Sequence, residues 1–168
     1  MGFKKTSDLI AISFGVTELA PNTYQQDQIA LQLDVLNNEI FVVVAADLDC
    51  FAPDALAGVN TSTVAAITST TAAAMQNLSN TNTIAVAELD IRAAGFVDSG
   101  VSFTRGAMES YQGEIDYIAL IATNNFFVAC QGIGNLNVKA VNGRLWGYRA
   151  RADASTYAAL VQSEVLSA

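Results

Sequence analysis

Residues 141–164, VNGRLWGYRARADASTYAALVQSE, change their period halfway along. Up to Arg151 the side chains alternate, with Arg144, Trp146 and Tyr148 on one face and Leu145, Gly147, Arg149 and Arg151 on the other, which is the period of a strand. Past Asp153, the residues Tyr157, Leu160, Val161 and Val165 recur at helical spacing, and Asp153 or Ser155 can cap them. The reading is a strand that runs into a C-terminal helix over 154–168. A helix this short is marginal alone, so its apolar stripe must dock on something. Asn142-Gly143 is the strongest hairpin signal in the chain, because both residues tolerate the positive φ of a type I′ turn. It predicts a turn joining 136–141 to 144–151, with Lys139 opposite Trp146 at cation–π distance.

Outward from this stretch the period of two persists. DQIALQLDVL (27–36) and TIAVAELDIRA (83–93) both alternate, and turn signals recur between such runs at 20–23, 36–39, 52–58, 78–82, 97–100, 122–125 and 131–135. GEIDYIALIATNNFFVACQG (113–132) reads as a hairpin of two strands around Thr123, Asn124 and Asn125. In residues 54–83 the Thr-rich half favours a strand, and TAAAMQNL (71–78) could instead form a short helix. Strands at this spacing predict an all-β, antiparallel β-sandwich of about eight strands. The expectation is one domain over 1–168, with 1–8 as a short N-terminal arm; 168 residues are enough to bury a core without disulfides.

Hydrophobic residues make up 52% of the chain and charged ones only 14%, against about 25% in ordinary soluble domains. Much of the surface is therefore uncharged, as the centres of subunit interfaces are. The longest apolar run, 40–46, is far short of the ~20 residues of a membrane helix, and the N-terminal residues with Lys4, Lys5 and Asp8 read poorly as a secretory signal. The net charge is −8, and residues 6–138 hold fourteen Asp/Glu against Arg92 and Arg105. Such a body should repel phosphate, so no strong nucleic-acid binding is expected.

Candidate chemistry is sparse. The chain has no histidine, which removes the commonest general base and the usual triads. Two carboxylate pairs, Asp47 with Asp49 and Glu88 with Asp90, stand two apart on strand faces at roughly 7 Å, inside the range of an inverting glycosidase pair. No aromatic sugar platform accompanies them, and the expectation is that the protein is not an enzyme and holds no cofactor. Asp47, Asp49 and Asp54 could instead gather a calcium ion through oxygen ligands, with solvated loop carboxylates as the plainer reading. Cys50 and Cys130 suit buried free thiols, a single bridge between them being the alternative.

The C-terminal strand carries a different signal. Four of the eight cations, Lys139, Arg144, Arg149 and Arg151, fall here beside the sole tryptophan. Arginine mixed with aromatic residues is enriched at interfaces, and the rest of the protein offers carboxylates to pair with. Arg144, Trp146, Tyr148, Arg149 and Arg151, with Tyr157, Leu160 and Val161 of the helix, are thus the candidate subunit interface. The plainer reading is an edge strand whose arginines reach solvent.

The short hydroxyl-rich strands, ATNNFFVACQG (122–132) and the closing VNGRLWGYRARADASTYAALVQSE together resemble a small viral capsid protein of the single jelly-roll kind. The resemblance implies a jelly roll of eight strands in two sheets, self-assembly into a closed shell with copies of itself and other capsid proteins, and a place in the virion. It departs from RNA-condensing coats in having only Lys4 and Lys5 where a basic arm would stand, which implies that another component or an internal layer packages the genome, or that the shell is empty. A secreted or surface β-sandwich binding module, lectin-like or adhesive, is the competing class.

Overall fold

The closing strand does not turn at Asn142-Gly143. In the computed structural model, which describes residues 2–95, 97, 100–105 and 115–167, it forms β10 (Ala140–Ala152), thirteen unbroken residues. Neither Asn142 nor Gly143 has a positive φ. The reason is the ladders on both sides: β10 pairs with β2 (Ile10–Thr17) on one edge and with β4 (Glu39–Cys50) on the other. Two full rows of backbone hydrogen bonds outweigh a local turn preference. Gly143 is needed for another purpose, since a Cβ there would run into the Asp47 carbonyl and the Phe14 ring.

The remaining strands are β1 (Phe3–Lys5), β3 (Gln25–Ala30), β5 (Thr61–Thr68), β6 (Thr83–Arg92), β7 (Val101–Arg105), β8 (Ala119–Ile121) and β9 (Asn125–Ile133). They form two antiparallel five-stranded sheets. One has the order β1-β10-β4-β8, with β2 following β1 along the same edge of β10; the other has the order β3-β9-β5-β6-β7. Pairings nest from the ends inward: β2 with β10, β3 with β9, β4 with β8, β5 with β6. That nesting is a ribbon of paired strands wrapped around a sandwich, which makes the fold a jelly roll. The strand number exceeds eight because the first lane is split into β1 and β2 and because β7 adds to the edge at β6. Residues 3–5, expected within an arm, thus lie in the sheet as β1.

Two further expectations change. The strands on either side of Thr123 do not pair as a hairpin, because β8 joins β4 in one sheet while β9 lies between β3 and β5 in the other. Gly113 and Glu114 of that stretch, and part of the expected turn at 97–100, lie outside the described residues. Residues 71–78 form no helix. At their end and just beyond, Asn77 Oδ1 accepts from the Ser79 amide at 2.9 Å and Asn80 Oδ1 from the Asn82 amide at 2.9 Å, local bonds that hold turns rather than helix.

The apolar run 40–46 belongs to β4 and is covered on both faces. Phe41 and Val43 face the core between the sheets, together with Leu145, Phe126, Val128 and Ile67; Ile40 and Val42 face outward into a second cluster. A register shift opposite Trp146 and Gly147 inserts one extra residue into β4, so the inward positions switch from Phe41 and Val43 to Ala46 and Leu48. Beyond the bulge, Asp47 and Asp49 therefore point outward.

The second cluster is roofed by α1 (Ala154–Leu166). Of the two caps that the sequence offers, Asp153 is the one used, its carboxylate accepting from the Thr156 amide at 2.8 Å. Tyr157, Leu160 and Val161 pack on Ile40, Val42, Ala122, Ala150 and Ala152 of the same chain. The fourth residue on that face is Glu164, which is buried, whereas Val165 is exposed. Among the described residues, no helix is long and apolar enough to cross a membrane.

Candidate interaction face on the outer sheet

The outer face of the β2-β10-β4 sheet has two halves, divided near the bulge. On the half that α1 leaves bare, Arg144 stands opposite Asp47 of β4 and Ser13 of β2, and Asn142 opposite Asp49. Trp146 is flanked by Ala45 and Ala11, small neighbours that leave its indole half-exposed. A groove of about 370 Å³ results, lined by Ser13, Asp47, Asp49, Asn142, Arg144 and Trp146. Two sequence candidates that looked separate, the acidic pair and the Arg/Trp strand, thus share one depression. Among the described residues Arg144 makes no ion pair across it.

On the other half, Tyr148 packs at the margin of the helix-covered cluster and carries the Lys5 ammonium 4.9 Å from its ring centre. That cation–π contact replaces the one expected between Lys139 and Trp146. Arg149 turns inward to its own chain: Nη1 meets Glu39 Oε1 at 2.8 Å, and Nη2 donates to the Leu31 carbonyl. Arg151 is exposed, opposite Lys4 of β1, and among the described residues its side chain reaches only that of Asn37, at 3.4 Å. Tyr157, Leu160 and Val161 are half-buried against their own subunit.

Asp54 does not join Asp47 and Asp49. Its carboxylate takes the Lys139 ammonium at 2.7 Å and the amides of Leu136 and Asn137 at 2.8 and 2.9 Å. The Lys139 bond first, and these amides, hold its pKa well below the usual carboxylate range. Among the described residues no three acidic or thiol groups converge on a point where a metal ion could sit.

Lys139 and Asp54 belong to a buried polar cluster at one end of the sandwich that sequence reasoning missed. Glu18 accepts the amides of Thr23, Gly132 and Lys139 at 2.8, 2.9 and 2.8 Å. Asn135 accepts the Asp54 amide at 2.8 Å, donates to the Ser62 carbonyl at 2.9 Å, and exchanges two bonds with Asn22. The available signal was the set of turns at 20–23, 52–58 and 131–135, which meet here. Cys50 and Cys130 are free thiols, and burial first, then nearby carboxylates, pushes them up to about 12 and about 11.

No protein-family model and no curated protein matches the chain. Among solved structures it is similar to a chain of desmodium yellow mottle tymovirus, at 14% identity over 88% of this chain and 91% of that one, with a TM-score of 0.29. A score this low bears on neither mechanism nor assembly.

Proposed function

We propose that the protein is a virion structural protein, a capsid subunit that assembles with copies of itself, and with other capsid proteins, into a closed shell. The observation that carries this reading is a jelly roll whose surface is poor in charge and rich in exposed apolar side chains. Leu36 is 94% and Leu19 82% exposed, and Phe51, Phe103, Leu136 and Leu166 stand out likewise. Each such side chain gains roughly 1.5–3 kcal/mol when fully buried, a gain that contact with a neighbouring copy would supply. Jelly rolls serve both capsids and lectins, so it is the surface rather than the fold that favours a coat.

The contacts assigned to this role are Arg144 and Trp146 on the open half of the sheet, Tyr148 at the margin of the helix-covered half and Arg151 at the far end of the strand. The two exposed arginines of β10, Arg144 and Arg151, pair with carboxylates of the adjacent copy, while Arg149, Tyr157, Leu160 and Val161 hold the strand and helix in place behind them. With a net charge of −8, the subunit does not condense nucleic acid by itself. Size-exclusion chromatography with negative-stain microscopy of the purified protein tests the reading. Shells or large uniform oligomers are expected. Small discrete species that bind glycans would replace the coat with a binding module.

A further inference from the structure

The cleft between α1 and the strands β6 and β8 contains two buried polar atoms that the fold leaves without hydrogen bonds, Glu164 Oε2 and Thr83 Oγ1. Glu164 is only 6% exposed, one turn beyond Leu160 on the docked face of the helix. Its other oxygen accepts the Ala122 amide at 2.8 Å, and its main-chain carbonyl accepts Asn82 Nδ2 at 3.0 Å. The nearby Thr123 hydroxyl is directed at the Ser69 and Asn125 carbonyls, each at 3.4 Å. The cleft measures about 280 Å³, far more than the ~30 Å³ that one water claims in the liquid. Ile84, Ile118 and Leu160 form its apolar wall. Burial raises the Glu164 carboxyl above its ordinary range, so holding it ionised here costs stability unless a counter-charge arrives.

We propose that this cleft binds a primary alkylammonium group, with the ammonium on Glu164 Oε2 and Thr83 Oγ1 and the methylene stem along Ile84, Ile118 and Leu160. An ammonium brings donors only, which suits two unsatisfied acceptors. A guanidinium fits less well, because its fork seeks both oxygens of a carboxylate and Ala122 already occupies one. Anions are repelled by Glu164. The group has two possible sources, a free amine or a lysine of a second copy. Of the three lysines, Lys139 is tied to Asp54 and Lys5 lies over Tyr148, which leaves Lys4, exposed on β1. Only this choice of source rests on the assembly reading; the site itself does not.

The test is calorimetric titration of the purified subunit at neutral pH with n-butylammonium chloride, with n-butanol as the uncharged control. The amine should bind at least about tenfold more tightly than the alcohol, as a charge-assisted bond to a buried carboxylate requires. Glu164→Gln, which keeps an acceptor for Ala122, should abolish that preference, and Thr83→Val should weaken it severalfold. Equal binding of amine and alcohol, or an amine preference that survives Glu164→Gln in a folded variant, overturns the proposal and leaves the cleft to water. Lys4→Gln separates the sources. If a second copy supplies the group, this variant impairs assembly and butylammonium competes with it; if assembly is untouched while the amine still binds, the ligand is a free amine.

Discussion

Arg149 of β10 and Glu39 of β4 form an ion pair at 2.8 Å that closes over the link between β3 and β4. The same guanidinium donates to the carbonyls of Leu31 and Gln32, and Gln32 is one of three non-glycine residues with positive φ among those described. One arginine thus holds a connection whose backbone is unfavourable by itself.

Arg149 should therefore behave differently from the other arginines on its strand. Arg149→Ala removes one ion pair and two charge-assisted bonds in a partly exposed setting, which should lower folding stability by about 1–2 kcal/mol. Arg144→Gln and Arg151→Gln, which add no negative charge beside Asp47 or Glu39, should change it by less than about 0.5 kcal/mol, while both impair assembly by leaving a neighbour's carboxylates unpaired. Urea unfolding of the separated subunits, beside size-exclusion profiles, distinguishes the two outcomes.

Truncation after Asp153 should lower the melting temperature of the isolated subunit. It uncovers Ile40, Val42 and Ala150 and removes half-buried Tyr157, Leu160 and Val161, an apolar loss on the order of 4 kcal/mol. An unchanged melt with assembly alone affected would mean that α1 contributes nothing to its own subunit.

Glu164 makes stability fall with rising pH. Its carboxyl is raised in the folded state by burial, which the Ala122 amide offsets only in part. The folded chain therefore holds this proton more tightly than the unfolded one. The associated stability is present below the unfolded value of about 4.3 and is lost as pH rises through the folded pKa. Without ligand, Glu164→Gln should melt above the parent at neutral pH and lose that advantage near pH 4, as thermal melts across the range would show.

Asp54 carries the opposite sign. The Lys139 ammonium and the Leu136 and Asn137 amides depress its folded pKa, so its contribution is present above about pH 4 and lost as pH falls through the folded value. Asp54→Asn should lower the urea midpoint at neutral pH, and the gap should narrow in acid.

Both thiols should resist modification. With Cys50 pushed up to about 12 and Cys130 to about 11, almost no thiolate exists at neutral pH. Aromatic disulfide reagents should label the native protein slowly and the unfolded protein at once.

Local pattern already determined the strand character of 83–92, the strand-to-helix switch after Arg151 and a cap at Asp153 or Ser155, because period and capping depend on residues a few positions apart. That Arg144, Trp146 and Tyr148 share one face was equally legible, though not which side that face takes. Where local preference met tertiary demand, the outcome reversed: Asn142-Gly143 favours a turn, yet it lies within a central strand bonded on both edges. The nesting of pairs, the meeting of Asp47 with Arg144, the burial of Glu164 and the capture of Arg149 were decided only by the folded sheets. Glu18 finds the Lys139 amide 121 residues away, and no window of sequence contains both. Such partners are set by which strands lie side by side, and that follows from burying the two inner faces together rather than from the preference of any one segment.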